Sequence, residues 1–111
     1  MTAKRKVRAA TKHAHAKAIG IAELGGYYDV MVSQGMACAI CGREPKHGGR
    51  RLDIDHDHKT GQVRGLLCPK CNRMLGWARD TPNILFGGFV YLKHGRMAAV
   101  GYRDAMKERA R

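Results

Sequence analysis

Two Cys-x-x-Cys pairs, separated by 26 residues, constrain this chain more than any other feature of its sequence. Cysteines three positions apart in a tight turn can both bind one metal ion, and four thiolates complete a tetrahedral zinc shell. The four residues are Cys38, Cys41, Cys68 and Cys71. A shell closed by four protein ligands leaves no position for a substrate, so the pattern predicts structural zinc. Redox-active cysteine pairs and disulfides are the alternative interpretations.

The composition explains why such a chain would need a metal. Only 20 of its 111 residues are Leu, Ile, Val or Phe, and the formal net charge is +12. Apolar burial alone scarcely offsets the chain entropy of such a sequence, whereas structural zinc contributes on the order of 10–16 kcal/mol. There is no long apolar run and no signal-peptide pattern. We therefore predict an intracellular, cytoplasmic protein, not secreted and with no membrane partner, whose thiols stay reduced.

Positive charge is concentrated at the two ends of the sequence. Residues 1–22 contain six Lys or Arg and no acidic residue, and residues 96–111 carry five basic and two acidic residues. Such segments bind polyanions by neutralising phosphates. We therefore divide the chain into a basic N-terminal arm (1–22), a central domain (23–95) and a basic C-terminal tail or helix (96–111). A ribosomal-type or merely soluble basic protein is the alternative.

The central domain has the pattern of a small α+β fold with flanking helices. Alternating residues and a Lys-Thr-Gly-Gln turn predict a β-hairpin, and Pro69 and Pro82 are suited to the first turn of a helix. The predicted elements are a helix over 26–34, strands over 52–55 and 63–67, and helices over 69–77 and 82–94. Strand, strand and helix therefore follow one another around the predicted zinc site.

Between the cysteine pairs lies the run Asp55-His56-Asp57-His58, and Asn72 directly follows the last cysteine. A carboxylate and an amide oxygen can bind Mg²⁺ and leave its other positions to water and phosphate. An imidazole, with an ordinary pKa of about 6.5, can take a proton from an attacking water. Neighbouring strand residues face opposite sides, so Asp55 and His56 share a site only where the strand twists or ends. A solvated, histidine-rich turn is the alternative.

Three segments resemble a known family: CAIC, DHDHKTGQVRGLLC and CNRMLG. They are similar to the recombination endonuclease VII family of phages, within the HNH or His-Me finger nucleases, over about residues 26–94. The resemblance implies a ββα-metal fold beside a four-cysteine zinc, in a phage-infected bacterium. By position it makes Asp55 and Asn72 ligands of a catalytic Mg²⁺ or Mn²⁺. It makes His56 the general base, and implies that His58 positions or stabilises the phosphate.

The function predicted from these features is metal-dependent hydrolysis of DNA phosphodiester bonds. The DNA is duplex or branched, such as a Holliday junction, and a second copy of the chain is a further candidate partner. The alternatives are a non-specific or nicking HNH nuclease and a non-catalytic zinc module that binds nucleic acid. The founding phage enzyme has a Glu three residues after the metal-binding Asn, where this chain has Leu75. The basic residues nearest the site in sequence are Arg43, Arg50, Arg51, Arg64, Lys70 and Arg73.

Overall fold

A computed structural model describes residues 14–45 and 51–109 of the chain. Its elements are α1 (residues 14–23), α2 (Tyr27–Ser33), β1 (Asp53–His56), β2 (Val63–Leu67), α3 (Pro69–Trp77), α4 (Pro82–His94) and α5 (Arg96–Arg109). The described residues thus form an α+β arrangement in which β1 and β2 make a two-stranded sheet. The predicted order of helix, hairpin and further helices is confirmed. None of the described helices is both long enough and apolar enough to cross a membrane.

The hairpin is antiparallel and irregular at one point. Ile54 pairs with Leu66 and Asp55 with Gly65, but His56 then pairs with Val63, so the register shifts between Asp55 and His56. A β-bulge of this kind inserts an extra residue into one strand and increases the local twist. β1 also ends at His56. The strand therefore twists and ends at Asp55 and His56. This is the condition under which their side chains could share one site.

A small apolar core lies against the inner side of the hairpin and the first helices. Its buried members up to β2 include Ile21, Val30, Met31, Ala37, Leu52, Val63, Leu66 and Leu67. Leu66 is completely buried. With so few large side chains in it, this core alone is too small to account for a stable domain of this size.

The second half of the predicted basic arm is part of this core. Residues 14–23 are helical, Ile21 is buried, and Gly20 lies so close to the Val63 side chain that no Cβ would fit. This part of the predicted basic arm is therefore packed against β2, where burial of Ile21 stabilises the fold. The rest of the arm (residues 1–13), Arg50 with its neighbours in 46–50, and residues 110–111 lie outside the described residues.

Contacts divide the chain into two compact units, one ending at Asn72 and the other beginning at Arg73. In the second unit α4 and α5 form a helical hairpin, which turns at Gly95 with a left-handed φ of 95°. The ring of Phe86 packs on that of Tyr102 with centroids 5.0 Å apart. The Tyr102 hydroxyl donates to Asn83 Oδ1 at 3.1 Å. The predicted C-terminal tail is thus helical as far as Arg109, while the predicted domain boundaries at 22/23 and 95/96 stay predictions.

Candidate metal centre and active site

The four cysteines converge, as their spacing predicts. All four Sγ atoms lie within 4.8 Å of one another, and the Sγ atoms of Cys41 and Cys68 are 3.7 Å apart. A tetrahedral zinc with Zn–S bonds of about 2.3 Å places its sulfurs about 3.8 Å apart. The four thiols are therefore positioned to bind a metal ion such as zinc.

Backbone hydrogen bonds build the turn that carries the first cysteine pair. The Cys38 N–H donates to the Arg43 carbonyl at 2.9 Å, and the Gly42 N–H donates to the Cys38 carbonyl at 3.0 Å. Gly42 has φ 74°, a left-handed conformation that glycine adopts without strain. The Ala39 N–H donates to the Leu66 carbonyl at 3.2 Å and so ties this turn to β2. The first cysteine pair is thereby fixed against the strand that leads to the second.

The thiols of Cys38 and Cys71 have opposite pKa shifts. Burial raises the pKa of Cys38, but the N–H groups of Cys41, Cys68 and Ile40 outweigh it and lower the pKa to about 6. Burial, together with the neighbouring sulfurs, raises the pKa of Cys71 to about 12. Four sulfurs this close cannot all be thiolates without a cation between them. The chemistry of the donor set therefore fits a divalent metal.

One glutamine side chain aligns the first cysteine pair with the hairpin. Gln34 Nε2 donates to the carbonyls of Ala37 and Leu66, both at 2.9 Å, and its Oε1 accepts from the Leu66 N–H at 2.9 Å. A Cβ at Gly65 would lie 3.0 Å from this Oε1, so the glycine leaves room for the amide. No local sequence pattern marks Gln34 as a bridging residue, and it was not predicted.

Asp55, the predicted metal ligand, is buried with only 6% of its surface exposed. Arg64 binds it through two hydrogen bonds, from Nε to Oδ2 at 2.7 Å and from Nη2 to Oδ1 at 3.1 Å. A guanidinium therefore contacts both oxygens of the carboxylate expected to bind a metal ion. Arg64 was predicted only as one of several basic residues near the site.

Asn72 lies on the same face of β1 as Asp55. Its Nδ2 donates to Asp53 Oδ2 at 3.3 Å. Asp53 and Asp55 are two positions apart and precede the register shift, so their side chains share one face of the strand. Asp53 was missed, although this two-residue spacing was a signal that could have found it. The hairpin and α3 thus bring two carboxylates and one amide together.

The two histidines of the run lie side by side. The ring centroids of His56 and His58 are 4.8 Å apart and the rings are tilted by 55°. Asp57, between them, caps the turn, because its Oδ1 accepts from the N–H groups of Lys59 at 2.7 Å and Thr60 at 3.0 Å. The N–H groups of Thr60 and Lys59 also lower the pKa of the Asp57 carboxyl. Asp57 therefore stabilises the hairpin turn, and the roles predicted for the imidazoles stay predictions.

The predicted magnesium site, with its oxygen ligands, is less complete than the site formed by the four cysteines. Across residues 14–45 and 51–109, the four cysteines are the one set of at least three Cys, His, Asp or Glu side chains whose ligand atoms meet closely enough for a metal ion. Carboxylate and amide oxygens are nevertheless the donors that Mg²⁺ prefers, and Mg²⁺ keeps several water ligands. Asp55 and Asn72 offer donor atoms of this type, and their role as ligands of such an ion stays a prediction.

Comparison with known proteins places the same residues in a family. Residues 12–94 match the family model of recombination endonuclease VII. Gene 59 protein of Mycobacterium phage D29 is 51% identical over 69 residues, which cover 60% of this chain and 41% of that protein. Gene 59 protein of Mycobacterium phage L5 is 54% identical over 67 residues, covering 60% and 40%. The chain thus spans about two fifths of the length of these curated relatives. No solved structure matches it.

Proposed function

Because this chain belongs to the recombination endonuclease VII family, we propose that it is a metal-dependent DNA endonuclease of the HNH, or His-Me finger, type. The observation that carries the proposal is the hydrogen bond from Asn72 to Asp53, which supports an amide that shares the Asp55 face of β1. A module that only binds nucleic acid needs no such convergence of carboxylates, an amide and an imidazole pair. The ββα-metal arrangement is part of this proposal.

Two kinds of metal ion have separate roles in this proposal. Zinc binds the four cysteines and stabilises the fold, since a shell of four thiolates leaves no open position. Asp55 and Asn72 hold Mg²⁺ or Mn²⁺ through oxygen atoms. When bound, that ion polarises the phosphodiester and neutralises charge on the leaving oxygen.

The side chains supply the proton transfer and the grip on the phosphate. His56 accepts a proton from the attacking water as the new oxygen–phosphorus bond forms. The bond from phosphorus to the 3′ oxygen breaks, and that oxygen takes a proton from solvent. The products are a 5′-phosphate and a 3′-hydroxyl, as the family resemblance implies. His58, beside His56, donates a hydrogen bond to a phosphate oxygen and holds the group in place.

The substrate is DNA, either duplex or branched, and Holliday-junction resolution is one form of the same chemistry. Non-specific cutting and nicking are the alternatives within this class, and a zinc module without catalysis is the alternative outside it. The phage relatives support action in the cytoplasm of an infected bacterium. Cleavage of a four-way junction, a linear duplex and a single strand with Mg²⁺ separates these possibilities.

The test of the mechanism is single-turnover cleavage of labelled DNA. We expect His56→Ala to keep its fold and DNA affinity and to lose about 10²–10⁴-fold in rate, the usual contribution of a general base. The wild-type rate should fall as pH is lowered, because a protonated imidazole cannot accept a proton. The control is His94→Ala, which makes the same change at the exposed end of α4 and should cut like wild type.

Substitutions of the proposed metal ligands should reduce the cleavage rate for a different reason than His56→Ala does. We expect Asp55→Ala and Asn72→Ala to lose activity through weaker Mg²⁺ or Mn²⁺ binding, with part of the Asn72→Ala loss recovered at higher metal concentration. Asn72→Asp keeps an oxygen ligand and should retain more activity than the alanine variant. If His56→Ala and Asp55→Ala both cut DNA at the wild-type rate, the proposed active site is wrong.

The partner of the helical hairpin is, in this proposal, a second copy of the chain. Large apolar side chains of α4 and α5 are at least half exposed: Ile84, Phe86, Phe89, Tyr91, Leu92 and Met97. Large apolar side chains exposed in such number on one helical hairpin suit an association site. Light scattering of the purified protein should give the mass of a dimer, and Leu92→Glu should give a monomer. A monomeric wild-type protein at high concentration would contradict the dimer.

A further inference from the structure

Asp55 and Arg64 form an ion pair with two hydrogen bonds within the hairpin. Both carboxylate oxygens accept from the guanidinium, at 2.7 and 3.1 Å. The Asp55 side chain is 8% exposed, whereas that of Arg64 is 35% exposed. A buried carboxylate is stabilised by a partner of opposite charge that also donates hydrogen bonds to its oxygens. In this structure the guanidinium supplies that charge.

The bulge explains why Arg64 reaches this carboxylate. In an unbroken ladder Arg64 would lie opposite His56 and share its face of the sheet, which is the face away from Asp55. The register shift instead makes Arg64 the extra residue of β2 between Gly65 and Val63. Bulges re-aim side chains in this way. The position of Arg64 is thus a specific product of the hairpin geometry.

We propose that Arg64 is an exchangeable counter-ion of Asp55: it holds the carboxylate in the metal-free protein and turns to a DNA phosphate when Asp55 binds a divalent ion. This inference rests on the proposed function, because it takes Asp55 as a ligand of the catalytic metal. It adds a phosphate-binding residue to that site and couples DNA binding to metal binding.

The exchange follows from the chemistry of the two anions. A guanidinium presents the same fork of N–H donors to a carboxylate and to a phosphate. A divalent ion bound to Asp55 repels the like charge of the Arg64 guanidinium. It also occupies the carboxylate oxygens that otherwise accept the hydrogen bonds of Arg64. The partly exposed side chain can then bind a backbone phosphate. Since coupling between two ligands is reciprocal, metal should tighten DNA binding and DNA should tighten metal binding.

Metal binding without DNA gives the first test. Mn²⁺ binding to the zinc-loaded protein is measured by calorimetry for wild type, Arg64→Ala and Arg103→Ala. Arg64→Ala should bind Mn²⁺ about ten-fold more tightly, because it removes charge-assisted hydrogen bonds that compete for Asp55. Arg103 is an exposed arginine whose Nε donates to Asp104, so Arg103→Ala removes the same charge elsewhere and should leave Mn²⁺ affinity unchanged. Adding Asp55→Asn to Arg64→Ala should abolish the gain.

DNA binding gives the second test. The affinity for a duplex is measured in EDTA and in Ca²⁺, another hard ion that takes oxygen ligands. In wild type Ca²⁺ should tighten DNA binding, and in Arg64→Ala this gain should be clearly smaller, since only the contact of the ion itself with phosphate remains. Arg103→Ala should keep the full gain. A merely structural role for Arg64 would not reduce a gain that depends on metal.

The outcomes separate this inference from the proposed function. Mn²⁺ affinity that is unchanged or weaker in Arg64→Ala overturns the exchange even if the wild type cuts DNA. A metal-dependent gain in DNA affinity that is as large in that variant as in wild type does the same. A wild type that cuts no DNA with any metal overturns the nuclease, even if Arg64→Ala binds Mn²⁺ more tightly. If Arg64→Ala does not fold, Arg64→Lys replaces it, because lysine keeps the positive charge but lacks the paired N–H donors of the guanidinium. Arg64→Lys should bind Mn²⁺ more tightly than wild type, by less than the gain expected for Arg64→Ala. An Arg64→Lys protein with wild-type Mn²⁺ affinity contradicts the exchange.

Discussion

The unit that ends at Asn72 and the helical hairpin of α4 and α5 hold their shape by different means. The first has a completely buried Leu66, a four-thiol centre and side-chain hydrogen bonds that join residues distant in sequence. In the second, none of the described residues of α4 or α5 is buried. The unit that contains the candidate site is therefore fixed internally, whereas the hairpin leaves large apolar side chains exposed.

Metal removal should produce the largest contrast between the two units. A strong chelator should unfold the first unit, since structural zinc contributes on the order of 10–16 kcal/mol, and Cys41→Ser should act in the same direction. Hydrogen exchange should show loss of amide protection in β1, β2 and α2, with much less change in α4 and α5. Equal loss in both units would contradict the comparison, and so would a metal-free protein that keeps its fold through disulfides.

Leucine truncation should give the next largest difference. Leu66→Ala empties a completely buried position and should lower the free energy of unfolding by about 2–5 kcal/mol. Leu92 is 86% exposed, so Leu92→Ala should change it by no more than about 0.5 kcal/mol. Denaturant titration of the zinc-loaded proteins at low concentration measures both. Similar losses for the two variants would show that the hairpin has a buried core of its own.

Gln34→Ala should be less damaging than Leu66→Ala but still clear. It removes three hydrogen bonds and leaves the N–H and carbonyl of buried Leu66 without this partner, which should cost about 1–3 kcal/mol. Gln62→Ala is the matched control, because that side chain is exposed in the hairpin turn. Thermal unfolding of both variants checks the expectation. A Gln34→Ala protein as stable as Gln62→Ala would show that the amide does not stabilise the fold.

The smallest difference between the two units should come from deleting one hydroxyl in each. The Tyr27 hydroxyl donates to the carbonyl of buried Leu52 at 3.0 Å, so Tyr27→Phe should destabilise by about 1 kcal/mol. Tyr102 donates to exposed Asn83, where water can replace the phenol, so Tyr102→Phe should cost about half as much. Denaturant titration resolves the order, and a larger loss for Tyr102→Phe would reverse it.

Local signals in the sequence predicted the elements well. The prolines at 69 and 82 begin α3 and α4, and the return strand has the predicted bounds, Val63–Leu67. The first strand begins one residue later than predicted, at Asp53. The four cysteines meet as predicted because two ligands in each turn leave few other ways to complete one metal shell.

Contacts between distant residues were not predictable in the same way. Arg64 reaches Asp55 across nine positions, Asn72 reaches Asp53 across 19, and Gln34 reaches Leu66 across 32. Each of these contacts depends on a β-bulge or on the packing of a helix. No local sequence pattern predicts either feature. The sequence therefore identified the chemical groups of the candidate site, whereas their pairing required the fold.

The amide of Gln34 has a further consequence for a sheet of only two strands. An outer strand with free N–H and carbonyl groups is a template on which another chain can add a strand. At Leu66 both groups are taken, the N–H by Gln34 and the carbonyl by Gln34 and the Ala39 N–H. The Gln34 side chain and the turn at Ala39 thus occupy the place of a third strand beside Leu66. At this position no strand of another chain can pair with β2, which disfavours aggregation by sheet extension.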